Sequence, residues 1–248
     1  LLTWSEVEDI SGYVGNFNIK VRRKARYVDA ELCNGCGACW EKCPGTRVPR
    51  KGNIHEKLSL GPTTSIYMPF MQAVPAIPVI DAETCIRFKT GKCGICADVC
   101  ERNAIRYDME DEIVEFEVGN IILATGFRTF DPSPVRRYGY GHLDNVLTAV
   151  EFEVMNCASG NTGGKILMAD GSEPKSIGIV HCVGSRDKHY NEYCSRVCCM
   201  YALKYSHLIK EKTSAEVYQF YIDLRCFGKG YEEFYDRLLG EDVRFVRG

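Results

Sequence analysis

The stretch Cys33-Asn34-Gly35-Cys36-Gly37-Ala38-Cys39-Trp40-Glu41-Lys42-Cys43-Pro44 constrains this chain more than any other. It is the C-x2-C-x2-C-x3-C-P run of a bacterial ferredoxin. Its close spacing lets three thiolates wrap one corner of an iron–sulfur cube, while the fourth ligates a neighbouring cluster. Gly35 and Gly37 allow the backbone to curl close and turn its N–H groups toward sulfur. A zinc ribbon or a set of disulfides is the alternative, and the full match to the ferredoxin spacing weighs against both.

A run of this kind needs a partner, and Cys85 followed by Cys93-Gly94-Ile95-Cys96-Ala97-Asp98-Val99-Cys100 supplies one. Crosswise pairing predicts one cubane on Cys33, Cys36, Cys39 and Cys100, and a second on Cys85, Cys93, Cys96 and Cys43. The second run is looser. Seven residues separate Cys85 from Cys93 where two are usual, and Glu101 stands where proline is expected.

Fourteen cysteines in 248 residues, with no positively charged leader ahead of an apolar segment, point to metal ligands in a reducing cytoplasm rather than to a disulfide scaffold. The formal charge of −2 gives no electrostatic case for nucleic acid. No apolar run approaches the roughly 18 residues of a membrane span. The chain opens on Leu1-Leu2 and stops just after a strand-like Val243-Arg244-Phe245-Val246, so it reads as a piece of something longer.

Along the chain, Phe17, Ile19 and Val21 alternate with Asn18, Lys20 and Arg22 after Gly15-Asn16, which predicts strands joined by a turn. The basic residues Arg22, Arg23, Lys24 and Arg26 read as a solvated face, with docking of an acidic redox partner as the alternative. Each cysteine run is expected to lead into a short helix. Between the runs, Pro49, Pro62, Pro69, Pro75 and Pro78 make residues 46–84 a strand-poor excursion, in which 65–68 and 77–80 pair. His55 within it reads as a surface residue.

Ile121-Ile122-Leu123 running into Ala124-Thr125-Gly126 predicts a buried parallel strand ending at a tight turn. Residues 144–155 are expected to be helical. From residue 176 strands (177–180, 217–221, 243–246) alternate with helices (193–212, 231–239), which implies a parallel sheet with crossover helices.

A second cysteine constellation lies in that α/β part: Cys182 at the end of a strand, then Cys194, Cys198 and Cys199 at the start of a helix. Cys194 and Cys198 are i and i+4 and would share a helix face. A helix N-terminus favours an anionic, thiolate-ligated group. Three readings stand: a third iron–sulfur cluster, a redox-active disulfide among the four, or buried unliganded thiols. Cys157 and Cys226 read as buried structural thiols. The turn His181-Cys182-Val183-Gly184-Ser185-Arg186 is no dinucleotide fingerprint, and neither Gly160, Gly163 and Gly164 nor Gly228 and Gly230 fit one.

Taken together, these residues resemble the A-type subunits of heterodisulfide reductase, iron–sulfur flavoproteins of methanogens with relatives in other anaerobes. The resemblance runs through Leu2-Thr3-Trp4-Ser5-Glu6-Val7, Gly12–Phe17, Cys33–Pro44, Ala124–Phe127, Cys182–Asp187, Tyr193–Ala202 and Gly228–Tyr235. It implies an α/β, thioredoxin-reductase-like flavoprotein fold interrupted by an inserted two-cluster bacterial-type ferredoxin domain. Residues 1–28 and 109–175 would then belong to an FAD-binding domain, 29–108 to the insert, and 176–248 to a second Rossmann-like unit with a third cluster. It implies FAD contact at Ala124, Thr125 and Gly126, and a third [4Fe-4S] cluster on Cys182, Cys194, Cys198 and Cys199 near the flavin. Lys204 is expected to stabilise the flavin ring, with Glu151 as its partner. The implied activity is electron bifurcation: pairs from a hydrogenase or formate dehydrogenase are split between ferredoxin and a disulfide-reducing partner protein. Against this stands a simpler alternative, a ferredoxin-like electron relay without flavin. The family's pyrophosphate loop is not among these residues, so catalysis would need parts outside this chain.

Overall fold

The computed structural model describes residues 1–47, 63–69, 72–158, 160 and 162–248. The chain divides into two units, Leu1–Phe127 and Arg128–Gly248. Pro49, Pro62 and His55 of the excursion lie outside the described residues.

The first unit runs β1 (Ser5–Tyr13), β2 (Asn16–Arg23), α1 (Ala38–Glu41), β3 (Thr46–Arg47), β4 (Thr63–Thr64), β5 (Ile66–Tyr67), β6 (Val79–Ile80), α2 (Ile86–Thr90), α3 (Ile95–Asp98) and β7 (Glu112–Val118). β1 and β2 form an antiparallel hairpin over Val14-Gly15, where Gly15 has φ +96°, and β7 pairs antiparallel with the other edge of β2. The predicted alternation decides which residues turn in: Val21 is buried opposite Val7 and Val114. The basic residues of β2 sit on exposed ladders beside acids. Lys20 lies 3.2 Å from Glu115 and Arg23 2.9 Å from Glu112, while Arg22 pairs with Glu8 and Lys24 with Glu6. Such exposed pairs contribute about 0.2–1 kcal/mol each; they shape the sheet's charge more than its stability.

The rest of this unit is a small body with its own core of Val28, Ile66, Ile77, Ile80 and Ala104, packed with Cys39, Cys85 and Cys96. The chain enters and leaves it through one clamp. Val28 bridges Ile105, Asp29 N donates to Ala104 O (2.7 Å) and Arg106 N to Tyr27 O (3.0 Å). β5 and β6 pair antiparallel, Ile66 with Ile80, as the two short segments of the excursion are expected to do. The short helices lie within the cysteine runs rather than after them: α1 carries Cys39 and α3 carries Cys96.

The expected strand at 121–123 does not form. Ile122 and Leu123 are 92% and 79% exposed, and no described strand offers them a ladder. Without a partner to take its N–H and C=O groups an apolar run gains nothing from the strand conformation. Gly126 does adopt the left-handed turn, at φ +76°.

The second unit runs α4 (Ala149–Asn156), β8 (Ser176–Val180), α5 (Cys198–Lys212), β9 (Glu216–Tyr221), α6 (Tyr231–Leu239) and β10 (Val243–Arg247). The sheet is parallel in the order β10-β9-β8, with α5 and α6 as crossovers. Leu203 and Ile209 of α5, Val217 of β9 and Leu238 of α6 are fully buried in one core with Val243. Two helix starts differ from the sequence reading. α4 begins at Ala149 because Thr148 and Glu151 form a capping box, so residues 144–148 precede the helix. α5 begins at Cys198, not near residue 193. Arg196 has φ +64°, and Arg186 N donates to Tyr193 O at 3.1 Å, tying the preceding residues into a loop. Among the described residues no helix is long and apolar enough to cross a membrane.

Candidate metal centres

Eight cysteines of the first unit gather into two recesses of four. One is lined by Cys33, Cys36, Cys39 and Cys100 with Val28, Pro78 and Ala104. The other is lined by Cys43, Cys85, Cys93 and Cys96 with Ile66, Ile80 and Tyr107. Three thiols of each set come from one run, and the fourth crosses over from the other.

Local geometry explains the grouping. Gly35 has φ +71°, and a Cβ there would stand 2.7 Å from the Ala76 carbonyl oxygen, so the loop closes only around glycine. Gly37, at φ +94°, then opens α1 and sets Cys39 inward. In the second run the long gap is taken up by α2. Cys85 is its N-cap, and Gly91 at φ +73° ends it and returns the chain to Cys93. Backbone amides reach the sulfurs of the first recess: Gly35 N lies 3.4 Å from Cys33 Sγ and Ala104 N 3.3 Å from Cys100 Sγ. In the second recess a side chain does so, with the Tyr107 hydroxyl 2.9 Å from Cys96 Sγ.

Burial pushes the Cys39 thiol up to about 12 and raises that of Cys96, the latter opposed by the bond from Tyr107. Thiols so placed are neutral and unreactive on their own, and metal coordination is what deprotonates them. Among the described residues no three His, Cys, Asp or Glu side chains converge on a point suited to one ion. The thiols of each recess surround a space instead, which is what a multi-atom cluster with one thiolate per iron requires.

In the second unit, Cys182 follows β8 at φ +58°, Cys194 lies in the loop before α5, and Cys198 and Cys199 open that helix. The expected i, i+4 relation of Cys194 and Cys198 on one helix face therefore does not exist; the loop brings Cys194 round. Cys182 feels the charge of both Cys198 and Cys194, and Cys199 that of Cys182. The Cys199 thiol hydrogen-bonds to Cys198, which favours ionisation of Cys198 and opposes that of Cys199. Ser195 Oγ lies 3.5 Å from Cys198 Sγ, Arg196 N 3.3 Å from Cys194 Sγ, and Cys199 Sγ 3.8 Å from Asp223 O. No pair among these thiols is bridged. The set lies at the carboxyl ends of parallel strands, where open α/β sheets carry their sites.

Beneath it is a buried polar network absent from the sequence reading. Gln219 Nε2 donates to Ala202 O (2.9 Å) and Ser206 Oγ (2.5 Å), and Gln219 Oε1 faces His181 Nε2. Strand alternation was the available signal, since it places Gln219 on the same face as the buried Val217. Arg186, likewise overlooked, pairs with Asp223 at 2.8 Å.

The expected Lys204–Glu151 pair does not form. Lys204 Nζ binds Glu153, at 2.8 and 3.0 Å, while Glu151 takes hydrogen bonds from Thr148 N (2.7 Å) and the Tyr140 hydroxyl (2.9 Å). The capping box holds Glu151 and turns Glu153 toward α5. Ala124, Thr125 and Gly126 are exposed. Cys157 is exposed rather than buried, because it is the C-cap of α4, where the chain turns outward; Cys226 is half-buried.

The cysteine recesses and the small clamped body around them define an iron–sulfur protein with a ferredoxin-like domain, and the family model "4Fe-4S binding domain" matches residues 26–45. Over its whole length the chain is 47% identical to the A-type subunit of the H(2):CoB-CoM heterodisulfide,ferredoxin reductase of Methanothermobacter marburgensis. It is 50% identical to the second A-type iron-sulfur subunit of the CoB--CoM heterodisulfide reductase of Methanopyrus kandleri. It is 43% identical to the A-type subunit of the Ferredoxin/F(420)H(2)-dependent CoB-CoM heterodisulfide reductase of Methanosarcina acetivorans. The similarity to these heterodisulfide reductase A-type subunits runs along the whole chain, which spans 37%, 37% and 30% of the length of the three relatives.

Proposed function

We propose that this chain is the electron-conducting iron–sulfur core of a heterodisulfide-reductase-type oxidoreductase. The observation that carries the proposal is the sorting of eight cysteines into two apolar recesses of four, each completed by one thiol from the opposite run. The donor sets fit the group. Cys33, Cys36, Cys39 and Cys100 would hold one [4Fe-4S] cluster, Cys43, Cys85, Cys93 and Cys96 a second, and Cys182, Cys194, Cys198 and Cys199 a third. Such clusters supply one-electron transfer when bound. Val28, Ile66 and Ile80 exclude water from the two recesses, and the amides of Gly35 and Ala104 together with the Tyr107 hydroxyl offset thiolate charge.

The clamp at Val28 and Ile105 supports reading residues 29–108 as an inserted ferredoxin domain. Residues 1–28 and 109–175 would be parts of a thioredoxin-reductase-like flavin domain, and 176–248 a second Rossmann-like unit. The finer reading is that the whole protein splits electron pairs from a hydrogenase or formate dehydrogenase between ferredoxin and a disulfide-reducing partner protein in the cytoplasm. For FAD, the exposed turn Ala124-Thr125-Gly126 offers a contact surface. No glycine-rich pyrophosphate loop accompanies it in this chain, so the residues present fit only part of that cofactor.

Anaerobic quantitation of iron, sulfide and flavin on this chain, purified from its natural complex, tests the proposal. About twelve irons with one FAD supports the three-cluster flavoprotein, and about eight without flavin reduces it to a two-cluster relay.

A further inference from the structure

Arg186 is a cation beside the four-thiol set, paired with Asp223. It follows the turn after β8 in a left-handed conformation, φ +55°. Its Nη2 is held 2.8 Å from Asp223 Oδ2, at the end of β9, and Arg247 braces the other oxygen of the same carboxylate at 3.2 Å. The Asp223 backbone carbonyl meanwhile lies 3.8 Å from Cys199 Sγ. One residue thus orients both a cysteine of the four-thiol set and the guanidinium beside it.

The guanidinium lies against Cys182, within hydrogen-bonding reach of its sulfur. Its Nη1 is fully buried and makes no hydrogen bond of ordinary geometry among the described residues. A buried donor left unmade carries its whole desolvation penalty, and an arginine fork has five N–H groups in fixed directions. With Asp223 fixing one side of the fork, the unpartnered side calls for an acceptor on the side of the cysteines.

We propose that Arg186 is the charge-compensating positioning residue of this site, its Nη1–H donating to a sulfur of the cluster held by Cys182, Cys194, Cys198 and Cys199. This rests on the third-cluster reading above. Each electron added to a thiolate-ligated cluster increases its negative charge, and a fixed cation in contact with its sulfur favours the reduced form. Arg186 therefore holds this cluster's reduction potential up, and Asp223 acts through Arg186 by fixing its orientation.

The test is an anaerobic redox titration of the full-length protein, read by electron paramagnetic resonance with parallel iron analysis, on wild type, Arg186→Gln, Arg186→Lys and Asp223→Asn. The expected result is full iron in Arg186→Gln with one cluster harder to reduce. The shift should be about tenfold in its reduction equilibrium, which is about 59 mV for a one-electron couple. Arg186→Lys, which keeps the charge but loses the fork, and Asp223→Asn, which frees it, should shift less in the same direction. Full iron and an unchanged potential in Arg186→Gln would overturn the proposal. If that variant loses its cluster, unchanged potentials in both milder variants overturn it. If Cys198→Ser loses no iron relative to wild type, it is instead the third-cluster reading on which the proposal rests that fails.

Discussion

The two cysteine neighbourhoods of this chain are built on opposite plans. In the first unit the thiols come from two similar runs folded over each other. Glycines set the curl of the first run, short helices carry the central cysteines, and aliphatic side chains close the recesses. In the second unit they come from a strand end, a loop and a helix start, beside half-exposed backbone and a paired arginine. The first plan surrounds its thiols with apolar walls and offers them two amides and one phenol. The second sets a guanidinium beside Cys182. Similar donor sets in such different surroundings should carry electrons at different potentials, because hydrogen bonding, net charge and exposure set that quantity.

The largest effects should come from breaking the crosswise sorting. Cys43→Ser and Cys93→Ser are expected to abolish the same cluster and leave the one on Cys36 intact, each losing about four irons. Cys43→Ser abolishing the Cys36 cluster instead would mean that each run closes on itself. Cys198→Ser should likewise remove about four irons, this time leaving both ferredoxin-type spectra unchanged. The separation of the two plans would collapse if those spectra changed as well.

A smaller effect concerns stability. Leu203 is fully buried in the core of the second unit, and Leu203→Ala should cost about 2–5 kcal/mol there. Calorimetry is expected to show one transition lowered and the iron spectra of the first unit preserved; loss of both together would deny the units their separate cores. Smallest of all, Tyr107→Phe keeps the ring packed beside Phe88, 6.0 Å between centroids, and under the Arg87 guanidinium at 5.2 Å. It removes only the hydroxyl at Cys96. Iron content should stay the same while a redox titration shows that cluster alone becoming harder to reduce. An unmoved midpoint would mean that the phenol is packing and nothing more.

Much of the second unit was legible in the residues. Strands near 177–180, 217–221 and 243–246, with a helix at 231–239, follow from apolar runs at strand and helix spacing, and the parallel order follows from their alternation. The start of α4 was also written there as Thr148-x-x-Glu151, a capping-box signature that the apolar periodicity of Val146 and Leu147 overrode. The start of α5 was harder. Tyr193 to Val197 carry no helix breaker; the tie from Arg186 N to Tyr193 O and the left-handed Arg196 hold them in a loop. Ile121-Ile122-Leu123 reads as a buried strand because composition reports apolar character, whereas strand formation also needs a neighbour.

By itself the sequence determined which cysteines would gather, because the spacing within each run and the outward fourth cysteine are matters of short-range backbone geometry. The choice of neighbours around them was left to the tertiary structure. Tyr107 on Cys96, Arg186 against Cys182 and fixed by Asp223, and Glu153 rather than Glu151 on Lys204 all join groups that only the packed sheet, helices and loops bring together. A hydrogen bond turns on tenths of an ångström, and no spacing along the chain encodes a contact between residues 37 or 51 positions apart.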